Sequence, residues 1–308
     1  MLKMKILFDN VDLNSSSGPN SFARKLESEL KKDHEICINL DENFLPEVQL
    51  SFIAAYYKCA PIVQRLDGIY FNTEQDWESL NLPIKQTYNA ADAVIFQSKF
   101  NKTLTENFFG EHKNSSVISN GTLTSTIESI SPMENEILDN FENVWVCAST
   151  WRPHKRLSEN IRYFMEKAAQ YDCLVICGRD PDIKISHPRV FYAGQLMWKD
   201  LISLYRRASH FIHLAFLDHC PNVVVDARAA GCKIVCASSG GTWEISGDNS
   251  VIIQDLEWDF SPIKLYEPPP LDFGSYVIND KPEVDISISG VAQKYCQVLQ
   301  DVLTNSRG

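Results

Sequence analysis

One stretch constrains the fold of this 308-residue chain more than any other: Phe211–Ile245, FIHLAFLDHCPNVVVDARAAGCKIVCASSGGTWEI. The apolar run Phe211–Leu217 is short enough to be a buried strand. A polar turn, Asp218-His219-Cys220-Pro221-Asn222, leads into VVVDARAAG, a helix-like segment that stops at Gly231, where a left-handed residue past the helix end favours glycine. A second apolar run, Lys233–Ala237, opens into Ser238-Ser239-Gly240-Gly241-Thr242. Strand, turn, helix, strand and glycine turn make one βαβ unit, and such units place ligands at the carboxyl ends of their strands. Unpaired N–H groups at the helix start, near Asn222 and Val223, suit an anion such as a diphosphate. Asp218 and Asp226 bracket the turn with seven residues between them. Asp226, one turn into the helix, suits ribose hydroxyls, although the helix dipole alone also favours a carboxylate there.

The rest of the chain repeats this alternation. Strand signals at Lys5–Phe8, Glu35–Leu40, Val48–Ile53, Ile62–Leu66, Ala93–Phe96 and Val117–Ser119 are interleaved with helical spacing at Ser21–Lys31, Asn81–Ala91 and Ser98–Phe108. Residues 122–143 turn acidic and polar and read as a linker. The pattern restarts at Val144–Ala148, Ser158–Gln170, Leu174–Cys177, Val190–Tyr192 and Trp198–Ala208, then loosens after Ile252. Strands alternating with helices predict mostly parallel sheets. The expected fold is α/β, with two Rossmann-like domains facing a cleft. Residues 1–138 form the N-terminal, acceptor-side domain and 139–286 the C-terminal, nucleotide-sugar domain. Residues 287–308 form a C-terminal helix with the option of crossing back to the first domain.

Charge and cysteine usage narrow the class. A net charge of −11, with no stripe of basic residues, argues against nucleic acid as a partner. Nine cysteines lack paired CxxC spacing and sit mostly in apolar runs, as reduced and buried thiols do. Met1–Phe8 is a short apolar start ended by Asp9, unlike a signal peptide, and no run reaches the eighteen apolar residues of a membrane span. The compartment reads as cytoplasm.

Four other segments bear on chemistry. Asn14–Asn20, NSSSGPN, lies between the first strand and first helix, where small residues let backbone approach a phosphate or sugar; an ordinary connecting loop reads the same way. The absence of GxGxxG and of GxxxxGK[ST] removes nicotinamide, flavin and P-loop readings. Trp151-Arg152-Pro153-His154-Lys155-Arg156 puts cations at the carboxyl end of a strand, so Arg152 and Lys155 are candidates to neutralise a leaving diphosphate, against the bland reading of a solvated basic turn. Gly240, Gly241 and Thr242 form a second close-approach loop. In Arg65-Leu66-Asp67-Gly68, Asp67 is placed to orient or deprotonate an acceptor hydroxyl and Arg65 to hold an anionic group; a pair that only ties down its loop fits equally well. His210, His213 and His219 make no metal set with their neighbours.

These residues resemble family 4 retaining glycosyltransferases of GT-B architecture, over most of the chain and most strongly from Val144 to Ile245. The resemblance rests on WRPHKR at Trp151–Arg156, DHCPNVVVDARAAG at Asp218–Gly231 and GGTWEI at Gly240–Ile245. The first half matches more loosely, through SSSGPNSF, QRLDGIYFN at Gln64–Asn72, VIFQSKF at Val94–Phe100 and SNG at Ser119–Gly121. The chain is similar to short members of the family, with Asp-x7-Asp where the family has Glu-x7-Glu.

The resemblance implies transfer of a sugar from a nucleoside-diphosphate sugar to an acceptor hydroxyl, with retained anomeric configuration, no required metal and no permanently bound cofactor. It implies Arg152 and Lys155 at the diphosphate, Gly18 against it, Asp226 on the ribose and Asp218 beside the donor sugar. Each Asp is one methylene shorter than Glu, so the backbone sits closer, the sugar contact differs, or activity is lost. Two other readings therefore stay open: a catalytically decayed nucleotide-sugar-binding protein, and a sugar-nucleotide epimerase or phosphorylase of related fold. Residues 1–140 hold twelve Lys/Arg against twenty Asp/Glu, a net of −8. Docking on anionic membranes needs a basic face, so the expected acceptor is a soluble glycan or protein, without membrane association.

Overall fold

The computed structural model describes residues 3–15, 17–41, 43–280 and 284–307. Ser16, inside the NSSSGPN segment, lies outside the described residues. The chain divides into two units. One comprises Met1–Thr122, Phe260–Pro262 and Asp285–Gly308; the other comprises Leu123–Asp259 and Ile263–Val284. The division thus falls before residues 123–138, which the sequence pattern had grouped with the first domain.

The first unit runs β1 (Lys5–Asp9), α1 (Gly18–Leu30), β2 (Glu35–Ile38), β3 (Val48–Phe52), β4 (Ile62–Leu66), α2 (Trp77–Ala90), β5 (Ala93–Phe96), α3 (Lys99–Phe109) and β6 (Ser115–Val117). Its six strands lie in the order β2-β1-β3-β4-β5-β6, all parallel. Buried apolar runs such as ILF and AVIF are what a parallel sheet covered on both faces demands. The polar residues within β3 and β4 are equally buried and must be paired. Asp9 Oδ2 accepts from Gln49 Nε2 (2.9 Å), Ser51 Oγ (3.1 Å) and the Tyr56 N–H (2.9 Å). Gln64 Nε2 donates to the Ile53 and Ile84 carbonyls at 2.6 and 3.1 Å.

Element ends differ from the sequence expectations for local reasons. Helix α1 begins at Gly18, three residues earlier than its apolar spacing shows, with Ser17 at the cap position and a proline in its first turn. Helix α2 begins at Trp77, where Asp76 accepts from the Ser79 N–H at 3.2 Å, and continues through Pro83.

The second unit runs α4 (Thr124–Ser129), β7 (Val144–Thr150), α5 (Leu157–Lys167), β8 (Cys173–Arg179), β9 (Val190–Gly194), α6 (Trp198–Arg207), β10 (His210–His213), α7 (Asn222–Ala229), β11 (Lys233–Ala237), β12 (Val251–Ile253) and β13 (Tyr276–Ile278). The sheet order is β13-β12-β11-β10-β7-β8-β9, parallel except for the β12–β13 pair. Two expectations are corrected here. The segment read as a linker contains α4, which packs on α7 through the fully buried Ile127; six residues are too few to show a period. The loosened region after Ile252 contains β13, whose three residues are all exposed at a sheet edge and leave no alternation to read. The core cluster includes Trp145, Leu157, Phe164, Leu214 and Phe273.

The last helix, α8 (Ile288–Arg307), belongs to the first unit. Tyr295 packs its ring 5.9 Å from that of Phe22, and its hydroxyl meets Arg65 Nε at 3.2 Å. At the helix entry the Ile288 N–H donates to the Thr122 carbonyl and the Thr122 N–H to the Ile286 carbonyl, each at 2.8 Å. All nine cysteines are unpaired, and seven of them are buried.

Candidate donor site

The cation loop follows β7. Pro153–Lys155 forms one 3-10 turn, and Arg156 then takes a left-handed conformation (φ 52°) before α5. That conformation is uncommon for any residue other than glycine, and here a buried ion pair holds it. Arg156 Nη1 and Nη2 grip Asp255 Oδ2 and Oδ1 at 2.6 and 3.1 Å, and the two side chains are 2% and 1% exposed. Arg156 Nη2 also donates to the Pro269 carbonyl (2.8 Å), while Ser239 Oγ donates to Asp255 Oδ2 (2.5 Å). The Asn160 amide closes the turn on the Arg156 carbonyl at 2.6 Å. Arg156 is therefore the anchor of the loop, and the other two cations of the motif are not drawn into that pair. Arg152 is exposed with no side-chain partner among the described residues, and Lys155 is half-buried.

Lys155 and Asp218 were expected to hold different parts of one ligand; the structure pairs them with each other. Lys155 Nζ lies 2.5 Å from Asp218 Oδ2, which also accepts from His213 Nε2 at 2.9 Å. Asp218 Oδ1 accepts from the His219 N–H at 3.0 Å. Burial by itself would raise the Asp218 carboxyl, but the Lys155 ammonium and the His213 bond outweigh it and hold the acid well below the usual carboxylate range. Burial lowers His213, His219 and His154, the last two to about 4 and about 3, and the Lys155 charge reinforces each shift. Asp218 and Lys155 thus form a charged pair among neutral imidazoles. Sequence reasoning examined His213 only as a metal ligand and missed this contact, although a histidine at the end of the apolar run FIHLAFL was the available signal.

Gly240 and Gly241 serve Asp218 in a way their sequence did not show. Gly240 has φ +84°, and a Cβ there would stand 2.4 Å from the Asp218 carbonyl oxygen. The Gly241 N–H donates to that same carbonyl at 2.7 Å. The close approach that demands glycine is therefore by protein backbone. Thr242 is completely buried, and its hydroxyl finds no partner among the described residues; its side chain is shut away from solvent.

Helix α7 begins at Asn222 with Pro221 at the cap, a residue with no side-chain acceptor to offer. The N–H groups of Val224 and Val225 return to the Pro221 carbonyl (3.0 and 3.3 Å). Those of Asn222 and Val223 precede any carbonyl within the helix. Asp226 is 5% exposed and accepts from Trp198 Nε1 at 3.0 Å, which ties α7 to the start of α6. Gly231 follows the helix with φ +96°, as its sequence predicts.

The first unit places Gly18 as the opening residue of α1, exposed. Arg65 is fully buried and committed: it pairs with Asp67, donates to Asn120 Oδ1 at 2.7 Å and to the Tyr295 hydroxyl, and lies 4.3 Å from the Phe22 ring centre. Asn120 donates to Gln97 (3.1 Å), and Gln97 donates to Asp67 Oδ1 (3.1 Å), which closes the ring of partners. Arg65 is thus committed to partners within the fold, as the loop-tying reading of the Arg65–Asp67 pair has it. Burial raises the Asp67 carboxyl, with Arg65 opposing. Among the described residues no group of three His, Cys, Asp or Glu could hold a metal ion, and no helix is long and apolar enough to cross a membrane.

Comparison with solved structures identifies the architecture. The catalytic domain of starch synthase IV from Arabidopsis thaliana, bound to ADP and acarbose, matches with a TM-score of 0.67 at 10% identity, covering 98% of this chain and 99% of that one. Anabaena HepE in complex with UDP matches with 0.64 at 12%, covering 97% and 100%. Sucrose-phosphate synthase from Thermosynechococcus elongatus matches with 0.63 at 10%, covering 99% and 97%. The fold is that of the GT-B glycosyltransferases. In sequence, residues 142–260 match the family model described as glycosyl transferases group 1. That span contains Lys155, His213, Asp218 and α7. No curated protein matches the chain.

Two outcomes follow from the buried charges. Arg156→Ala strands the Asp255 carboxylate and should cost about 3–5 kcal/mol in urea denaturation, whereas the double change Arg156→Met with Asp255→Leu should recover most of that loss. His154 and His219 are neutral when folded, so the unfolded chain takes up their protons first. Their stabilisation is complete above the ordinary histidine value of 6.5 and is lost as the pH falls from there through about 4 for His219 and about 3 for His154. The denaturation midpoint should decline over that window, and His154→Phe should flatten part of the decline.

Proposed function

We propose that this chain is a glycosyltransferase that moves a sugar from a nucleoside-diphosphate sugar to an acceptor hydroxyl. The observation that supports it best is the placement of Lys155, in the turn after β7, and of the start of α7, after β10, beyond the carboxyl ends of two neighbouring strands of one sheet. An ammonium has three donors; Asp218 takes one, which leaves two for phosphate oxygens. The helix N–H groups at Asn222 and Val223 supply the remaining positive potential, with the exposed Arg152 as a second cation. In this reading Lys155 and the helix stabilise the diphosphate as it departs, without calling on a metal ion. Asp226 takes the ribose hydroxyls, its carboxylate oriented by Trp198. Asp218 stands beside the transferred sugar, Gly240 and Gly241 hold its backbone in place, and Gly18 approaches the diphosphate.

Retention of configuration belongs to the proposal through the family resemblance, with the donor phosphate helping to activate the acceptor hydroxyl. Asp67, whose carboxyl is raised by burial, is assigned to orient that hydroxyl.

Thermal-shift screening with UDP, GDP and ADP should find one that stabilises the native chain. Lys155→Ala should then weaken that nucleotide by roughly tenfold or more in titration calorimetry, the scale of a lost charge-assisted bond. No stabilisation by any nucleoside diphosphate, or an unchanged affinity in the variant, would sink the reading. Binding with no turnover of any donor sugar would instead leave a nucleotide-sugar-binding protein. The acceptor is proposed to be a soluble glycan or protein, because residues 1–140 carry a net charge of −8. The chain should stay in the supernatant with phosphatidylserine vesicles at physiological salt, and robust sedimentation would overturn that choice.

A further inference from the structure

We propose that His213 is a positioning residue: it fixes the Asp218 carboxylate and thereby aims the Lys155 ammonium at the donor diphosphate. The proposal rests on the donor-site reading above for the diphosphate, and on geometry alone for the hold on Lys155.

His213 is the last residue of β10, 5% exposed, at the carboxyl end of the strand that feeds the Asp218 turn. A buried imidazole is costly unless its ring nitrogens find partners. Its Nε2 finds one in Asp218 Oδ2, the same oxygen that Lys155 approaches. Because the other carboxylate oxygen is held by the His219 N–H, rotation of the carboxylate would break contacts at both ends. The His213 ring is itself held nearly parallel to Phe211, at 12° with centroids 6.3 Å apart. The chain of support therefore runs from the sheet, through a stiff ring, to a carboxylate and then to a flexible lysine.

The protonation state fits the same role. Burial keeps His213 neutral even though Asp218 opposes the shift. A neutral imidazole donates one hydrogen bond and leaves the whole negative charge of Asp218 to Lys155. An imidazolium in the same place would compete for that charge and loosen the lysine. Lys155 has four rotatable carbons and large conformational freedom, so an unaided ammonium on a partly exposed turn would sample many directions.

The alternative is that His213 is only a core histidine satisfied by whichever acceptor lies nearest. The two differ in what happens to Lys155. The full chain, free of ligand, is treated with trace acetic anhydride, and acetylation of Lys155 is read by mass spectrometry against the exposed Lys184. His213→Ala should raise the relative labelling of Lys155 by roughly fivefold, the scale of one lost hydrogen bond. His213→Gln, whose Nε2 reaches about as far as the imidazole Nε2, should restore slow labelling. His213→Asn, shorter by one methylene, should not. Equal labelling in native and His213→Ala chains, or equal labelling in the Gln and Asn variants, overturns the proposal; the Gln–Asn comparison also decides if the Ala variant fails to fold. UDP affinity gives the functional arm: His213→Ala should shift it in the direction of Lys155→Ala by a smaller factor, with recovery in His213→Gln. A native chain that binds no nucleoside diphosphate ends the donor-site reading, while the labelling result still decides what His213 does to Lys155.

Discussion

An ion pair almost entirely out of water, Arg156 with Asp255, holds the second unit's working end together. A guanidinium buried this far is tolerable only when nearly every donor is used, and here Asp255, the Pro269 carbonyl and the Leu214 carbonyl take them. Three connections meet on this pair: the turn after β7, the serine turn after β11 through Ser239, and the exit from β12 at Asp255 itself. The left-handed backbone at Arg156 is the cost of bringing them together. Its consequence is the position of Lys155, one residue earlier, which the anchored turn directs toward Asp218.

Around Asp218 the same economy of charge recurs at smaller scale. One carboxylate oxygen meets Lys155 and His213, and the other meets a backbone N–H. Its backbone is pinned by Gly240 and Gly241 across a gap too narrow for any side chain. Burial drains charge from the three surrounding histidines, which leaves Lys155 and Asp218 as the charged pair in contact there. The first unit uses the opposite arrangement. Arg65 is enclosed by Asp67, Asn120 and Tyr295, so its charge is spent within the fold and joins α8 to β4. Two arginines in basic or acidic motifs, Arg65 and Arg156, proved structural, while the partly exposed Lys155 between two buried neighbours meets Asp218 and Arg152 stays exposed.

The strands and helices of the sheet cores were legible because buried parallel strands are short apolar runs and the intervening helices have a clear period. The elements missed were those whose sequence has neither property. The short helix α4 rests on one buried isoleucine, and β13 is an exposed edge paired to its neighbour only through backbone. Helix starts slipped by a few residues at Gly18 and Trp77, where the first turn is polar and only the cap marks it. Within the site, the residue types were visible as a set: a lysine after the first strand, an aspartate after the fourth, and an uncapped helix beyond it. Their pairing was not.

By itself the sequence determined an α/β architecture of two mostly parallel sheets, the ends of those sheets that bear chemistry, and the segment from Phe211 to Ile245 as the most informative part. Periodicity and glycine placement are local properties, set by backbone sterics and by which residues can be buried, so they survive being read one segment at a time. Only the tertiary structure decided that Lys155 faces Asp218 while Arg156 turns inward, that His213 meets the same carboxylate oxygen as Lys155, that Gly240 yields to the Asp218 backbone, and that the Thr242 side chain is sealed from solvent. Those outcomes depend on burial and on charge pairing between residues dozens of positions apart, such as the 63 that separate Lys155 from Asp218. No local pattern encodes which of several neighbouring cations loses its water.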